Sequence, residues 1–459
     1  MAVPAVLRGP ILNPKADRTI DFLPDGVLAA DERGRVTFVG PWPEFVARFG
    51  TPQAIERIDG LLLPPMLDLH THVPQHPIRG RFCEGVPCDA AEGRLIAGLN
   101  RNVFPAEMRF EDLDDARRVV DAFAADTLRN GVAGGSVFLT VHAEASFDAL
   151  HRLGPLWHGG LVLMDQNCPV DLRNGPYVQP DLRNLAESLG KRLVVTDRFA
   201  VATSSGLRKY GASVAREFEL LTQTHLNEQL SEKEFVETVL YPDAESYTHV
   251  YLRDGLLDTR PILAHCVHMT EPEWAVLQSR HAVVAHCPTS NALLGSGIMK
   301  LDDVAARGID YAICTDVGAS PTTSLLAEMA MFLLVHRGRH DHATACEALW
   351  RTTLAPARVL NVADQVGTFE PGSALSYAIA RVTVPPGVTS AEDVIRRSLL
   401  DLGGFTPRTT AADLDDLATG TPSHATLAAL TADAATLAKR LEGRFSRVVL
   451  AGQQMFPAT

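Results

Sequence analysis

The sequence predicts an α/β protein built on a (β/α)₈ barrel, and three observations predict it. Short apolar runs alternate with helix-like segments eight times between residues 61 and 314. Four of those runs end in His, Glu or Asp, at the strand termini where such barrels carry their reactive groups. All-β sequence flanks the alternating block on both sides. The expected division is residues 1–64 as a β segment, 65–365 as the barrel, and 366–459 as a second β segment with a helical elaboration.

In chain order, residues 26–30, the turn Asp31-Glu32-Arg33-Gly34 and residues 35–39 read as a hairpin, and residues 44–49 as a helical turn. Residues 61–72 then read as a buried strand ending in His70-Thr71-His72. Strand side chains alternate faces, so Met66, Asp68, His70 and His72 share one side while Leu67, Leu69 and Thr71 share the other. Residues 110–130 form an amphipathic helix, with Leu113, Ala116, Val120, Phe123, Ala124 and Leu128 on one side and Gly131 beyond its end. Further strands are expected at 135–141, 160–164, 192–196, 217–224, 261–264, 282–285 and 311–314, with a helix at 271–277. After Leu360 the periodicity weakens. Residues 366–372 return to β-like sequence, 446–455 read as a final strand, and 384–445 show helical periodicity that fits either a surface elaboration or an oligomer contact.

Composition narrows the function. A chain of 459 residues with 46% hydrophobic and 21% charged content folds as a globule. A formal net charge of −13 excludes nucleic acid and anionic membranes as partners, since both demand clustered Lys and Arg. Seven scattered cysteines with no Cys-x-x-Cys indicate neither a disulfide framework nor a cysteine zinc site. No basic-then-apolar leader opens the chain and no apolar run reaches about 18 residues, so a cytoplasmic location is expected.

The chemistry concentrates at four strand ends: His70-x-His72, His225-Leu226-Asn227-Glu228, His265, and Thr315-Asp316. His70, His72, His225 and Asp316 make an N₃O donor set suited to one zinc ion, or to iron(II). Such a site keeps a position for water and lowers its pKa towards about 7. Glu228 is placed to carry a proton between water and substrate, and His265 to orient the water. His286 ends a strand too and is assigned to the surroundings of the site. The histidine-rich run 336–342 has no apolar strand before it and reads as a solvated loop.

These motifs resemble the amidohydrolase superfamily and, within it, the guanine deaminases. The resemblance also rests on Phe104-Pro105-Ala106-Glu107, Met164-Asp165-Gln166-Asn167-Cys168-Pro169, Arg198-Phe199, Ala264-His265-Cys266-Val267-His268 and the run from His286 to Gly297. It implies a distorted barrel with a small composite β-sandwich from both chain ends, one Zn²⁺ per chain, and a homodimer. It also implies hydrolytic deamination, with zinc hydroxide attacking the amine-bearing ring carbon of guanine to give xanthine. In this scheme Glu228 protonates the neighbouring ring nitrogen, His265 orients the hydroxide, and Asp316 moves a proton to the departing ammonia. The purine-like substrate would meet Gln75, Arg198 and Phe199, together with His225 and Glu228.

The chain departs from the family pattern in several places. Met66 replaces a Gly after Pro65, Arg94-Leu95-Ile96-Ala97-Gly98-Leu99 lacks a customary Trp, and Asp197 replaces a Pro before Arg198. Gly372-Ser373-Ala374-Leu375-Ser376 replaces Gly-Lys-x-Ala-Asp. The competing readings are a zinc aminohydrolase for an oxidised purine, a pterin or a triazine, and a catalytically silent barrel scaffold. A two-metal amidase needs a Lys ending the fourth strand, whereas the only Lys between Gly160 and Arg198 is Lys191, which begins one.

Overall fold

A computed structural model describes residues 5–456. Its N-terminal segment is an antiparallel meander of β1 (Ala5–Pro14), β2 (Ile20–Ala30) and β3 (Val36–Pro41). The expected hairpin is there. Its turn closes because Asp31 Oδ1 accepts the N–H groups of Arg33 and Arg35, both at 2.9 Å, while Gly34 takes a φ of 71°. The helix Trp42–Phe49 follows, with Pro in its first turn where a missing N–H costs nothing. Two short strands, β4 (Glu56–Arg57) and β5 (Leu61–Leu63), lead into the parallel part.

β6 (Met66–His72), β7 (Val132–Phe138) and β8 (Trp157–Gly160) form one parallel sheet. A second holds β9 (Val162–Leu163), β10 (Val194–Asp197), β11 (Leu221–Leu226), β12 (Pro261–His265), β13 (Val283–His286) and β14 (Asp310–Ile313). The sheets meet at two seams. At one, Gly159 bridges Leu193; at the other, the Asp316 N–H donates to the His70 carbonyl at 2.9 Å. Asp68 strengthens the second seam by accepting the N–H of Thr315 at 3.2 Å. Leu67, Leu69, Ile262, Ala264, Val283 and Ala285 share one core cluster, as expected of parallel strands covered on both faces.

The C-terminal strands are β15 (Tyr377–Ala380), β16 (Phe445–Leu450) and β17 (Gln453–Phe456). They join the N-terminal strands in a single sheet ordered β17-β16-β15-β5-β1-β2-β3, with β4 beside β1. Chain ends and middle are therefore interleaved.

Several boundaries differ from the sequence expectation. Residues 217 and 218 belong to the helix Ser205–Phe218, which ends at Glu219 with φ 52°, so β11 starts only at Leu221. The run at 135–141 lies three residues earlier, as β7. Its glycines admit the neighbouring strand: a Cβ on Gly135 would sit 1.8 Å from the Asp68 carbonyl oxygen. The run at 160–164 splits between β8 and β9. Residues 366–372 form no strand; Asn13 Oδ1 takes the Phe369 N–H at 2.9 Å, satisfying the backbone without a ladder. The expected last strand is a hairpin, β16–β17. Within 384–445, the helix His424–Leu441 packs on helices Leu325–Val335 and Pro288–Leu294, so it covers the parallel core. His336 is fully buried and lies 3.0 Å from His286, so the run 336–342 does not begin as a solvated loop.

Helix Leu325–Val335 is buried along its whole length and carries Glu328. Ser320 Oγ donates to Glu328 Oε1 at 2.8 Å and the Thr289 N–H to Oε2 at 3.2 Å, yet burial pushes the carboxyl up to about 8. An unfolded Glu ionises near about 4.3. Between those values the unfolded chain releases a proton that the folded one keeps, so stability falls as pH rises from about 4.3 towards 8. Glu328→Gln keeps both contacts if Ser320 turns its hydroxyl to the Thr322 carbonyl, 3.3 Å away. Thermal melts are expected to show the variant gaining on the wild type from pH 5 to 8, with no further gain above. A melting difference independent of pH would contradict this.

Candidate metal centre and catalytic pocket

The site gathers at the C-terminal ends of β6, β11, β12 and β14. Alternation on β6 turns His70 and His72 to one side, 1% and 2% exposed. His72 Nε2 lies 3.3 Å from His225 Nε2, and Asp316 Oδ1 lies 3.4 Å from His70 Nε2 and 3.2 Å from His72 Nε2. Tetrahedral ligands at bond lengths of about 2.0–2.1 Å sit about 3.4 Å from each other. These separations therefore fit four donors that share one ion, and all four groups lie within 4.8 Å of one another. Protonation states agree. Burial pushes His72 down to about 3 and His225 well below its ordinary value, leaving neutral imidazoles with free lone pairs. Burial alone would raise Asp316, but hydrogen bonding with His70 and His72 outweighs it and holds the carboxyl well below the usual range.

Neighbouring groups fix these rings. The Arg198 carbonyl, which can only accept, takes a hydrogen bond from His225 Nδ1 at 2.6 Å and so leaves the Nε2 lone pair free for a metal. His265 Nδ1 donates to Asn291 Oδ1 at 2.9 Å, turning Nε2 with its lone pair towards the pocket. Glu228 Oε2 lies 3.4 Å from that Nε2, and Glu228 Oε1 is buried with no hydrogen-bond partner among the described residues. Burial first, then the nearby Asp316 and Glu232 charges, push the Glu228 carboxyl well above its ordinary value. Cys287 and His265 also bring donor atoms near Asp316, but burial keeps the Cys287 thiol protonated and it donates to the Ala285 carbonyl at 3.5 Å.

The backbone is bent to deliver these groups. Asn227, His265, Cys266 and Asp316 all adopt left-handed φ values, between 50° and 72°. Four such non-glycine residues at the ends of β11, β12 and β14 place strain where the polar side chains converge.

The pocket is a narrow slot lined by His72, His225, Glu228, His265 and Asp316 together with Gln75, Arg198 and Phe199. Phe82, Leu95, Leu99 and Leu294 also line it and narrow it to a cavity of about 20 Å³. Leu99 and Phe199 separate it from an outer chamber of about 550 Å³. Leu95 and Leu99 come from the segment that lacks the family's Trp; the Leu95 N–H is tied to Gln229 Oε1 at 3.0 Å. Every residue singled out in the sequence for metal, catalysis or substrate thus falls in one place.

Asp197 does not. It turns away from the slot and pairs with Arg208, itself wholly buried, at 3.1 Å; Arg208 also reaches Asp254 at 2.7 Å and the Thr203 carbonyl at 2.7 Å. The Tyr251 hydroxyl, beside this network, donates to the His225 carbonyl at 2.8 Å. Arg208→Met strands two buried carboxylates, so a loss of about 3–5 kcal/mol is expected in urea unfolding. A loss below about 1 kcal/mol would show the network to be dispensable.

Residues 61–379 match the amidohydrolase family, well over half of the chain. The chain belongs to the amidohydrolase family. Among its relatives, the guanine deaminase of Escherichia coli K12 is 32% identical over 379 residues, spanning 80% of this chain and 83% of the relative. A probable guanine deaminase of Deinococcus radiodurans is 33% identical over 371 residues, 76% of this chain and 81% of the relative. The solved structure of the E. coli guanine deaminase superposes with a TM-score of 0.77 at 26% identity, covering 100% of both chains. Within this amidohydrolase, sequence reasoning missed Glu107 and Asn291, which lie in quoted motifs but carry no ligand-like spacing. It also missed Tyr251, whose role depends on a contact across 26 residues.

Proposed function

We propose that this amidohydrolase converts guanine and water to xanthine and ammonia, with one Zn²⁺ per chain held by His70, His72, His225 and Asp316; iron(II) is the alternative metal. The carrying observation is that Glu228, a fully buried carboxyl, shares one narrow pocket with His72, His225 and Asp316 of the metal-donor set and with His265, Arg198 and Gln75. The guanine deaminase relatives support the same assignment. A divalent metal at this site supplies Lewis acidity that makes water nucleophilic near neutral pH.

The protein's own residues supply the rest. Arg198 and Gln75 offer N–H donors to the carbonyl and ring-nitrogen edge of the base, and Phe199 covers its face. Glu228 delivers a proton to the ring nitrogen beside the amine-bearing carbon, which makes that carbon electrophilic. His265 Nε2 accepts a hydrogen bond from the attacking water; one of that water's two protons restores Glu228, and the other passes by way of Asp316 to the departing ammonia. Closure behind Leu95 and Leu99 excludes bulk water. In this reading residues 65–365 are the catalytic barrel, closed at its two seams. Residues 1–64 and 366–459 make a composite β domain, and the enzyme is a cytoplasmic homodimer.

Zinc-loaded protein given guanine is expected to release xanthine and ammonia in equal amounts. Absence of turnover with one bound metal per chain would reject guanine. It would favour the second reading, another aminated ring such as a pterin or triazine, which the departure at residues 94–99 makes the natural alternative.

A further inference from the structure

Glu107 does not line the slot, yet it touches two residues that do. Its Oε1 accepts from Gln75 Nε2 at 2.9 Å and from Arg198 Nη1 at 2.7 Å. The carboxylate is 3% exposed, so water cannot take over either bond. This arrangement settles which way the Gln75 amide points. Its nitrogen is held at Glu107, and its oxygen is pressed against the backbone of Gly318, where a Cβ would fall 1.9 Å from Gln75 Oε1. A carboxylate offers only acceptors, so the amide cannot turn round without setting its oxygen against Glu107. At the Gln75 and Arg198 end of the pocket the groups left over are N–H donors, from Arg198 and from the remaining N–H of Gln75.

We infer that Glu107 is a specificity-determining positioning residue, which locks Gln75 and Arg198 as donors so that the slot takes a ring bearing a carbonyl rather than an amino group at that edge. This deepens the guanine reading and rests on it. The physical reason is asymmetric: a buried donor facing an amino group is left unpaired, and sites built on such pairing discriminate by about 10⁴–10⁵. Both bonds end on the one atom Oε1, so Gln at position 107 either sets its amide oxygen there, without the charge that grips Arg198, or sets its amide nitrogen there as a donor to Gln75. Gln75 could then turn over and accept from an amino group.

The probes are guanine and 2,6-diaminopurine, which differ at this edge by carbonyl against amino. Steady-state kinetics would compare zinc-loaded wild type with Glu107→Gln. Equilibrium binding of both purines would compare Glu228→Gln with Glu228→Gln/Glu107→Gln, where turnover does not interfere. Expected is a tenfold or greater fall in the guanine-to-diaminopurine ratio of kcat/KM and of affinity, with metal content unchanged. Equal losses for both purines, leaving the ratio intact, would overturn the inference and make Glu107 merely structural. Should Glu107→Gln fail to fold, Glu107→Asp decides: a shortened acceptor that leaves the ratio intact overturns the inference, and a reduced ratio supports it. Binding of neither purine would overturn the inference together with the guanine assignment, whereas guanine binding with an unchanged ratio overturns the inference alone.

Discussion

Glu228→Gln is expected to lower kcat on guanine by about 10²–10⁴-fold while metal content and fold stay as they were. The size follows from the role: a positioned proton donor and acceptor contributes about that factor, and an amide of the same shape can neither deliver nor accept a proton. The substitution is sterically neutral. Burial, then the nearby Asp316 and Glu232 charges, push this carboxyl well up, so a neutral amide in its place is expected to leave stability unchanged or improved. KM should move little, because the slot and its donors Arg198 and Gln75 remain. Parallel losses of metal and activity would mean that Glu228 helps to hold the ion; unchanged kcat would remove it from the mechanism.

The second large effect belongs to Asp316. Asp316→Ala should bring metal content well below one per chain after dialysis and activity to background, recovered in part by excess zinc. Asp316 is the one anionic donor in an N₃O set, and its oxygen lies 3.2 and 3.4 Å from two of the three histidine nitrogens. Changes one shell further out cost about 10–100-fold in metal affinity, so removing a donor outright should exceed that. The seam beside it should survive, since it rests on the Asp316 backbone N–H and on Thr315. Metal analysis and a thermal melt separate the outcomes. One tightly retained ion in the variant would exclude Asp316 as a ligand.

The proposed metal donors were legible because chemistry and periodicity coincide. Two histidines two apart on a strand must share a face, and His225, His265 and Asp316 each end an apolar run. The shell behind them was not, because it depends on pairings between distant segments. Glu107 meets Arg198 across 91 residues, and nothing local to Phe104-Pro105-Ala106-Glu107 announces that contact. Asp197 precedes Arg198 in sequence, yet strand alternation sends its side chain to Arg208 rather than to the pocket. His336 shows the limit of composition, since a histidine-rich run reads as solvated although its first member is buried against His286. Boundaries failed where backbone groups are satisfied by side chains, as Asn13 does for Phe369.

The interleaving of the two chain ends also bears on how the protein is made. β5 pairs with β1 on one side and with β15 on the other, through Leu61–Leu63 against Ala378–Ala380. About 315 residues separate Leu63 from Ala378. At about 5–20 residues per second, a ribosome needs roughly 15–60 s to deliver the partner strand. During that interval three consecutive leucines present an unpaired edge, a ready template for another nascent chain. The whole catalytic segment is synthesised inside that window, so its assembly precedes the sheet that joins its two ends. Yield in a cell should therefore depend on chaperone supply and elongation rate more than on the stability of the finished fold.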